Sequence, residues 1–361
     1  MSILNIMWAG GTAFASVQKV HQQILSHAVS RAPVDTWLLQ GSAEGGEAAL
    51  EWKLSSAQLK GRHLWKLLTP WMRSRFHKAL PETLEVVLLD GVGVARVMLP
   101  VLQRLPQVRA VVVFHGATRL RRADQKLFDQ FPAGQLTLAA VSQTLADSLE
   151  RYLQRPVAVL RSAFDPVAFR AAALTREHAR LRLDLPLQGA PVLGAVGRLV
   201  DGKGFGCLLE AFANVSVEQP DARLVIIGEG PARPALEARI EQLGLQGNVS
   251  LPGHLPDAAT LYRAFDWVAI PSTQEGLGLI LQEAVMAGVP VLTSELAVFR
   301  EQLADAGWYA PSDDAQAWGS LMARAFATSA HAVVETQSRA LAPEQAWKDF
   351  SETSQRLFSC R

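Results

Sequence analysis

Two carboxylates eight residues apart, Glu275 and Glu283, stand in the run from Pro271 to Ala284. Ahead of them Trp267 to Ile270 is a short apolar run that reads as a buried strand. Gly276 and Gly278 punctuate a polar turn, and an apolar segment with helical spacing follows as far as Gly288-Val289-Pro290. Strand, glycine turn and helix in that order place backbone N–H groups at a helix N-terminus around Gly278 and Leu279, where a phosphate is favoured. At the helical rise the two carboxylates would lie roughly 10–12 Å apart. That is wider than the roughly 5–9.5 Å of a glycosidase pair. It suits a ligand with two polar ends and an anionic middle, such as a sugar nucleotide. A bare pair of glutamates at this spacing would be a loop acid and a helix-surface acid. The glycines between them, the preceding Pro-Ser and the following Ala-Gly-Val-Pro-Val-Leu lift them above that reading.

A second constellation carries positive charge. Pro191 to Val196 reads as a strand and runs into Gly197-Arg198, with Lys203-Gly204 five residues on. Cations held in such a loop can neutralise a diphosphate leaving group, where charge develops in the transition state. Leu224 to Ile227 ends likewise in Gly228-Glu229-Gly230-Pro231, and Ile3 to Trp8 in Gly10-Gly11, loops where a ligand can approach the backbone closely. The run Ala110 to Phe114 places His115 at the carboxyl edge of a strand, the edge that faces the ligand crevice in open α/β sheets. Arg119, Arg121 and Arg122 follow. Their guanidinium groups suit bidentate capture of phosphate, and they equally suit a solvated helix start. There is no Asp-x-Asp pair and no His/Cys cluster in the sequence, so no metal requirement is expected.

Strand-like runs alternate with helical patterns through all 361 residues, the signature of parallel α/β architecture in two domains of ordinary size. A hydrophobic content of 49% with 19% charged residues excludes a disordered chain. Cys207 and Cys360 are too few for a disulfide framework and fit a reducing compartment. The N-terminal run lacks a basic flank and reads as a first strand, and no window is apolar enough to span a membrane. Net charge is +1, yet it divides into +7 over residues 1–165 and −6 over the remainder. The basic half should face an anionic partner.

The run Glu-Gly-Leu-Gly-Leu-Ile-Leu-Gln-Glu-Ala, with Glu275 and Glu283 at its two acidic positions, resembles the signature of retaining glycosyltransferases of the GT-B fold, in particular glycosyltransferase family 4. Gly197-Arg198 with Lys203-Gly204 and the Gly228-x-Gly230-Pro231 element match further motifs of that family. The resemblance implies two facing Rossmann-like, doubly wound domains with the active site in the cleft between them. Residues 1–164 would form the acceptor-binding domain and 165–342 the donor-binding domain, with a tail helix, 343–361, crossing back to the first. It further implies that Glu275 and His115 hold the donor hexose, that Arg198 and Lys203 hold the diphosphate, and that Glu283 bonds the nucleotide ribose. Gly10, Gly11, Gly228, Gly230, Gly278 and Leu279 would line the nucleotide. The donor would be a nucleotide-diphosphate sugar, UDP-linked by preference, with no cofactor required and no nucleic acid as partner. Enzymes of this kind extend cell-surface glycans such as the lipopolysaccharide core. An epimerase on the same fold and a nucleotide-sugar-binding protein without turnover are the alternatives. The chain departs from the family in one place: beyond the strand Val289 to Thr293 it carries Ser294-Glu295-Leu296 where a Gly-Gly pair is common, which puts the donor sugar in question.

No acidic residue stands between Trp52 and Pro81, where Lys53, Lys60, Arg62, Lys66, Arg73, Arg75 and Lys78 are interleaved with Trp65, Leu67, Leu68, Trp71 and Phe76. The segment 53–80 resembles an interfacial membrane segment, interrupted at Pro70; a core-facing helix with a solvated basic side is the other reading. The expectation is a cytoplasmic protein in peripheral contact with an anionic membrane face, acting on an anionic saccharide or lipid-linked acceptor.

Overall fold

The computed structural model describes residues 2–9, 15–28, 33–42, 50–60 and 65–358. The chain divides into two compact units, residues 1–162 with 348–361 and residues 163–347.

In the first unit the described strands are β1 (Ser2–Ala9), β2 (Val34–Gln40), β3 (Leu50–Glu51), β4 (Leu84–Asp90), β5 (Arg109–Phe114), β6 (Leu136–Ala140) and β7 (Ala158–Val159). They form one sheet in the order β3-β2-β1-β4-β5-β6-β7, and its ladders are parallel. Val86 to Leu89 and Val112 to Phe114 are fully buried, as strands covered by helices on both faces require. The helix Ala15–Ala28 follows β1 and buries Val20, His21 and Ile24. The helix Pro343–Phe358 spans the division between the units. Its Phe350 meets His27 edge-on at 5.8 Å, and the carbonyl of Phe358 accepts from Arg109 Nη2 at 2.8 Å.

The second unit has β8 (Val192–Val196), β9 (Arg223–Ile227), β10 (Val249–Gly253), β11 (Trp267–Ile270), β12 (Val291–Ser294) and β13 (Trp308–Ala310) in the order β10-β9-β8-β11-β12-β13, again parallel. Trp267, Phe212, Trp318 and Met322 lie in its core. In both units the chain order reverses beside the first strand, between β1 and β4 and between β8 and β11. Ligands of open α/β sheets bind outside the carboxyl ends of the strands at such a reversal. Asp90 ends β4, His115 follows β5, Gly197-Arg198 follows β8 and the Pro271–Gly278 loop follows β11, so the sequence motifs stand at those edges.

Over the basic stretch the structure has a short helix, Ser56–Leu59, and a longer one, Trp65–Ala79. Pro70 does not interrupt the longer helix, which runs through it. In its second turn the proline forfeits only the bond its own nitrogen would make to the preceding turn. Met72 and Phe76 face the core, while Leu67, Leu68 and Trp71 are exposed by 77%, 44% and 56%. Among the described residues no helix is long and apolar enough to cross a membrane.

Candidate active site

In the second unit two loops meet. Asp201–Lys203 forms one turn of 3-10 helix after β8, and Gly204 closes it at φ +69°. A Cβ on Gly204 would lie 2.0 Å from the carbonyl oxygen of Pro271, so only glycine lets this turn approach the loop after β11. Thr273 N–H donates to the Gly202 carbonyl at 3.0 Å and completes the contact. Across this joint the Lys203 ammonium reaches Glu275, Nζ to Oε1 2.5 Å, and Ser272 Oγ donates to the same oxygen at 2.8 Å. Ser272 is buried, and the Lys203 and Glu275 side chains are only 21% and 13% exposed. Arg198 is exposed and makes no ion pair among the described residues. The structure thus brings Lys203 and Glu275 together and leaves Arg198 to solvent beside them in sequence.

Gly278 caps the helix Leu279–Met286 at φ +82°, and a Cβ there would stand 2.4 Å from the ring of Phe299. That ring belongs to the segment replacing the family's Gly-Gly pair. The helix Ala297–Leu303 carries both Phe299 and the buried Gln302, whose Nε2 donates to the Leu277 carbonyl at 2.6 Å. Gln282 donates to Gln302 Oε1 at 3.1 Å, so two buried amides pin the turn ahead of the helix. Glu295 and Arg300 pair with each other at the edge of the same segment.

Glu283, half-buried four residues into that helix, accepts from the Tyr262 hydroxyl at 2.8 Å. Tyr262 is fully buried, and burial together with the neighbouring carboxylate pushes its hydroxyl far above the ordinary phenol range. It stays a donor at any physiological pH. Sequence reading did not single out Tyr262, because a tyrosine among Leu261, Ala264 and Phe265 reads as core.

Gly228 and Gly230 serve a joint of the same kind. Cβ atoms there would meet the carbonyl oxygens of Gly197 and Leu199 at 1.8 and 2.3 Å. Leu199 N–H donates to the Glu229 carbonyl, and Ala232 N–H to that of Leu199, both at 2.9 Å. Close packing of the two loops accounts for both glycines and fixes the Arg198 loop against β9.

In the first unit His115, its side chain 14% exposed, ends a polar chain whose other histidine, His21, is fully buried. Its Nε2 lies 3.0 Å from His21 Nε2 and 3.8 Å from Asp90 Oδ1. His21 Nδ1 is 2.7 Å from Asn5 Oδ1, and Asp90 Oδ2 accepts from Trp8 N–H at 3.1 Å. Burial lowers His115 to about 4 and holds His21 well below the ordinary histidine value, with His115 adding to the effect on His21. Burial also raises the Asp90 carboxyl to about 6, against the opposing hydrogen bond from Trp8. Both imidazoles are therefore neutral near pH 7. Asn5, His21 and Asp90 were not picked out by the sequence: Asn5 sits within an apolar run, Asp90 at the end of one, and His21 among polar helix residues, Lys19, Gln22 and Gln23.

Arg119, Arg121 and Arg122 are exposed around the start of the helix Arg122–Asp129. The buried Asp124 accepts a two-pronged bond from Arg96, at 2.7 and 2.8 Å, and a third from Arg121 N–H at 2.7 Å. Arg96 also reaches the Arg119 carbonyl at 3.3 Å, which holds the backbone of the cluster while its side chains stay at the surface. The hydrogen bonds to Asp124 keep its carboxyl below the ordinary range although burial pushes the other way. Gly10 and Gly11 lie outside the described residues.

These two parallel sheets match the GT-B fold. The chain superposes on HepE from Anabaena in complex with UDP and glucose with a TM-score of 0.77 at 18% identity, covering 99% of this chain and 98% of that one. It superposes on WaaG, a glycosyltransferase involved in lipopolysaccharide biosynthesis, with a TM-score of 0.74 at 16% identity, covering 99% and 100%. Residues 182–340 match the family model for glycosyl transferases group 1. By sequence it is similar to the 2-deoxystreptamine glucosyltransferase of Streptomyces kanamyceticus, 30% identical over 234 residues. That stretch spans 60% of this chain and 60% of the relative's length.

Proposed function

We propose that the protein is a retaining hexosyltransferase that moves a sugar from a UDP-sugar to an anionic, cell-surface saccharide acceptor. The carrying observation is the Lys203–Glu275–Ser272 cluster beside the exposed Arg198, at the edge where β8 and β11 diverge. Arg198 and Lys203 neutralise the diphosphate as the glycosidic bond breaks. Glu283, oriented by Tyr262, bonds the ribose, and Glu275 and His115 hold the hexose. The acceptor hydroxyl attacks the face from which the nucleotide leaves, and the departing phosphate oxygen takes its proton. No side chain then serves as nucleophile, and no metal is required.

Acceptor and place belong to the same proposal. The acceptor is a phosphorylated glycan such as the lipopolysaccharide core, met at the inner face of a cell membrane. The similarity to WaaG, the exposed Arg119, Arg121 and Arg122 and the exposed apolar and basic face of Trp65–Ala79 support it. The test is UDP release from a panel of UDP-sugars in the presence of chelator, with the anomeric configuration of the product read by NMR. Retention of configuration with turnover unaffected by chelator is expected. Binding without turnover on any acceptor would favour a nucleotide-sugar-binding protein, and an inverted product would overturn the mechanism.

A further inference from the structure

The chain from the buried Asn5 and His21 to His115 fixes more than a side-chain position. Asn5 Nδ2 turns toward Thr36 Oγ1 at 3.5 Å, which presents its Oδ1 to His21 Nδ1 at 2.7 Å. An amide oxygen only accepts, so His21 carries its proton on Nδ1. Burial keeps that ring neutral, and a neutral imidazole has one donor and one acceptor nitrogen. His21 Nε2 is therefore the acceptor. The atom facing it at 3.0 Å is His115 Nε2, which must carry the hydrogen, with Asp90 Oδ1 as a more distant second acceptor at 3.8 Å. His115 is neutral as well, so its Nδ1 is left with a lone pair. Among the described residues nothing donates to it.

We propose that Asn5 and His21 are positioning residues that lock His115 in its Nε2–H tautomer, so that His115 meets the ligand as a hydrogen-bond acceptor at Nδ1 and selects a hydroxyl donor. The selecting role rests on the reading that His115 faces the donor hexose; the tautomer does not. A sugar hydroxyl in reach of Nδ1 is held by donating its proton. A group at that place that can only accept, such as fluorine or a carbonyl oxygen, is rejected because two lone pairs then oppose each other. The preference is set about two side chains away from the ligand, through residues that never touch it, as outer-shell partners set the orientation of a ligating histidine.

Two independent measurements test it. In the full-length protein labelled with 15N-histidine, near pH 7.5, His115 should show a protonated, pyrrole-type Nε2 and a bare, pyridine-type Nδ1. The opposite tautomer overturns the proposal, and so does stoichiometric zinc or manganese in the purified protein, since His21, Asp90 and His115 place their ligand atoms within 4.8 Å of one another and could hold a cation. His21→Leu should release His115 into a mixture of tautomers. His21→Gln, whose amide oxygen can accept in place of Nε2, should restore the single form. Should His21→Leu fail to fold, Asn5→Ala makes the same test by freeing His21 Nδ1. For selection, the probes are UDP-glucose and its analogues with one sugar hydroxyl replaced by fluorine. One fluorine position should raise KM in the wild type roughly tenfold, about the loss of one hydrogen bond. His21→Leu should raise KM for UDP-glucose by a similar factor, with the affinity for free UDP unchanged and that fluorine position no longer discriminated. A locked tautomer with an unaltered KM in His21→Leu removes the selecting role. Absence of turnover with every sugar nucleotide removes the glycosyltransferase reading, while the tautomer result still decides the positioning half.

Discussion

Lys203 Nζ and Glu275 Oε1 are 2.5 Å apart in the second unit, across a joint that only a glycine at position 204 permits. The cation assigned to the diphosphate and the carboxylate assigned to the sugar thus hold each other in place before any ligand arrives. Under the proposed function a donor would share Lys203 between its phosphate and this carboxylate, without recruiting the lysine from solvent. Lys203→Met should lower kcat by about 10²–10³, the usual size for removing one group that stabilises developing charge. It should also cost roughly 1–3 kcal/mol of stability by leaving the half-buried Glu275 without its cation. Steady-state kinetics and urea melts check both. Near-wild-type turnover would remove Lys203 from the mechanism.

The Tyr262 hydroxyl has one described partner, Glu283 Oε2 at 2.8 Å. Tyr262→Phe should cost roughly 1–2 kcal/mol of stability, since it removes a buried bond to a charged acceptor. It should also weaken free UDP about three- to tenfold by letting Glu283 swing, a shift of about 1 kcal/mol. Titration calorimetry with UDP measures the effect. If Glu283→Gln and Tyr262→Phe both leave UDP affinity unchanged, Glu283 is only a helix-surface acid.

What the sequence made legible was whatever glycine spacing marks. Arg198, Lys203, Glu275 and Gly278 stand out because a tight turn after a strand needs glycine at fixed places, and that need is written locally. The alternation of strands and helices likewise announced the parallel α/β class. Asn5, His21, Asp90 and Tyr262 were not legible. None carries a local signal, and the meaning of each comes from a neighbour that only the fold brings to it. His21 gains its role only because β1 lies beside β4, and β4 beside β5, which brings Asn5 within β1, Asp90 at the end of β4 and His115 after β5 close together. The helix through Pro70 escaped for a related reason: the buried Met72 and Phe76 outweigh one lost backbone bond. The glycines themselves were legible as turn residues, but not as contact points between loops.

Gly204 is such a contact point between loops. Alanine there would sit at φ +69° with its Cβ 2.0 Å from the backbone oxygen of Pro271, an atom with little room to yield. Gly204→Ala should destabilise the protein by more than about 1 kcal/mol from the left-handed backbone alone. The displaced joint should separate Lys203 from Glu275 and reduce turnover as well. Gly206→Ala, two residues on, where a Cβ meets open space, is the control and should leave the melting temperature nearly unchanged. Equal melting temperatures for the two variants would mean that the joint is not tight.

The helix Trp65–Ala79 presents exposed Leu67, Leu68 and Trp71, with Arg75 stacked 5.0 Å from the Trp71 ring. Aromatic and aliphatic groups bordered by cations suit an anionic lipid surface, each cation contributing about 1 kcal/mol near the headgroups. The protein should co-sediment with vesicles containing phosphatidylglycerol and not with neutral ones. Binding should fall as salt screens the exposed charges, and a Trp71→Ser/Arg75→Gln variant should bind more weakly while keeping its melting temperature. Indifference of the wild type to anionic vesicles at low salt would remove the membrane contact from the proposed function.

The histidine–aspartate cluster gives the fold an acid sensitivity with a definite sign. His115 titrates at about 4 in the folded state against 6.5 when free, and His21 is shifted in the same direction. Between those values the unfolded chain binds more protons, so the stability contributed by neutral burial is complete above about pH 6.5 and is lost as pH falls toward 4. Asp90 acts oppositely. Its carboxyl titrates at about 6 in the fold against 3.8 when free, so between those values the folded state holds the extra proton, and its contribution declines as pH rises. The groups facing one another are His21 from the helix Ala15–Ala28, His115 after β5 and Asp90 at the end of β4. Two histidines outweigh one aspartate, and the cluster as a whole loses stability on acidification. Asp90→Asn, which can still accept from Trp8 N–H, removes the opposing aspartate. Its denaturation midpoints in urea, followed from about pH 7 to about pH 4.5, should fall more steeply than those of the wild type, the difference approaching about 1.4 kcal/mol per pH unit where Asp90 alone differs. Parallel curves for the two proteins would show that Asp90 ionises in the fold as it does in water.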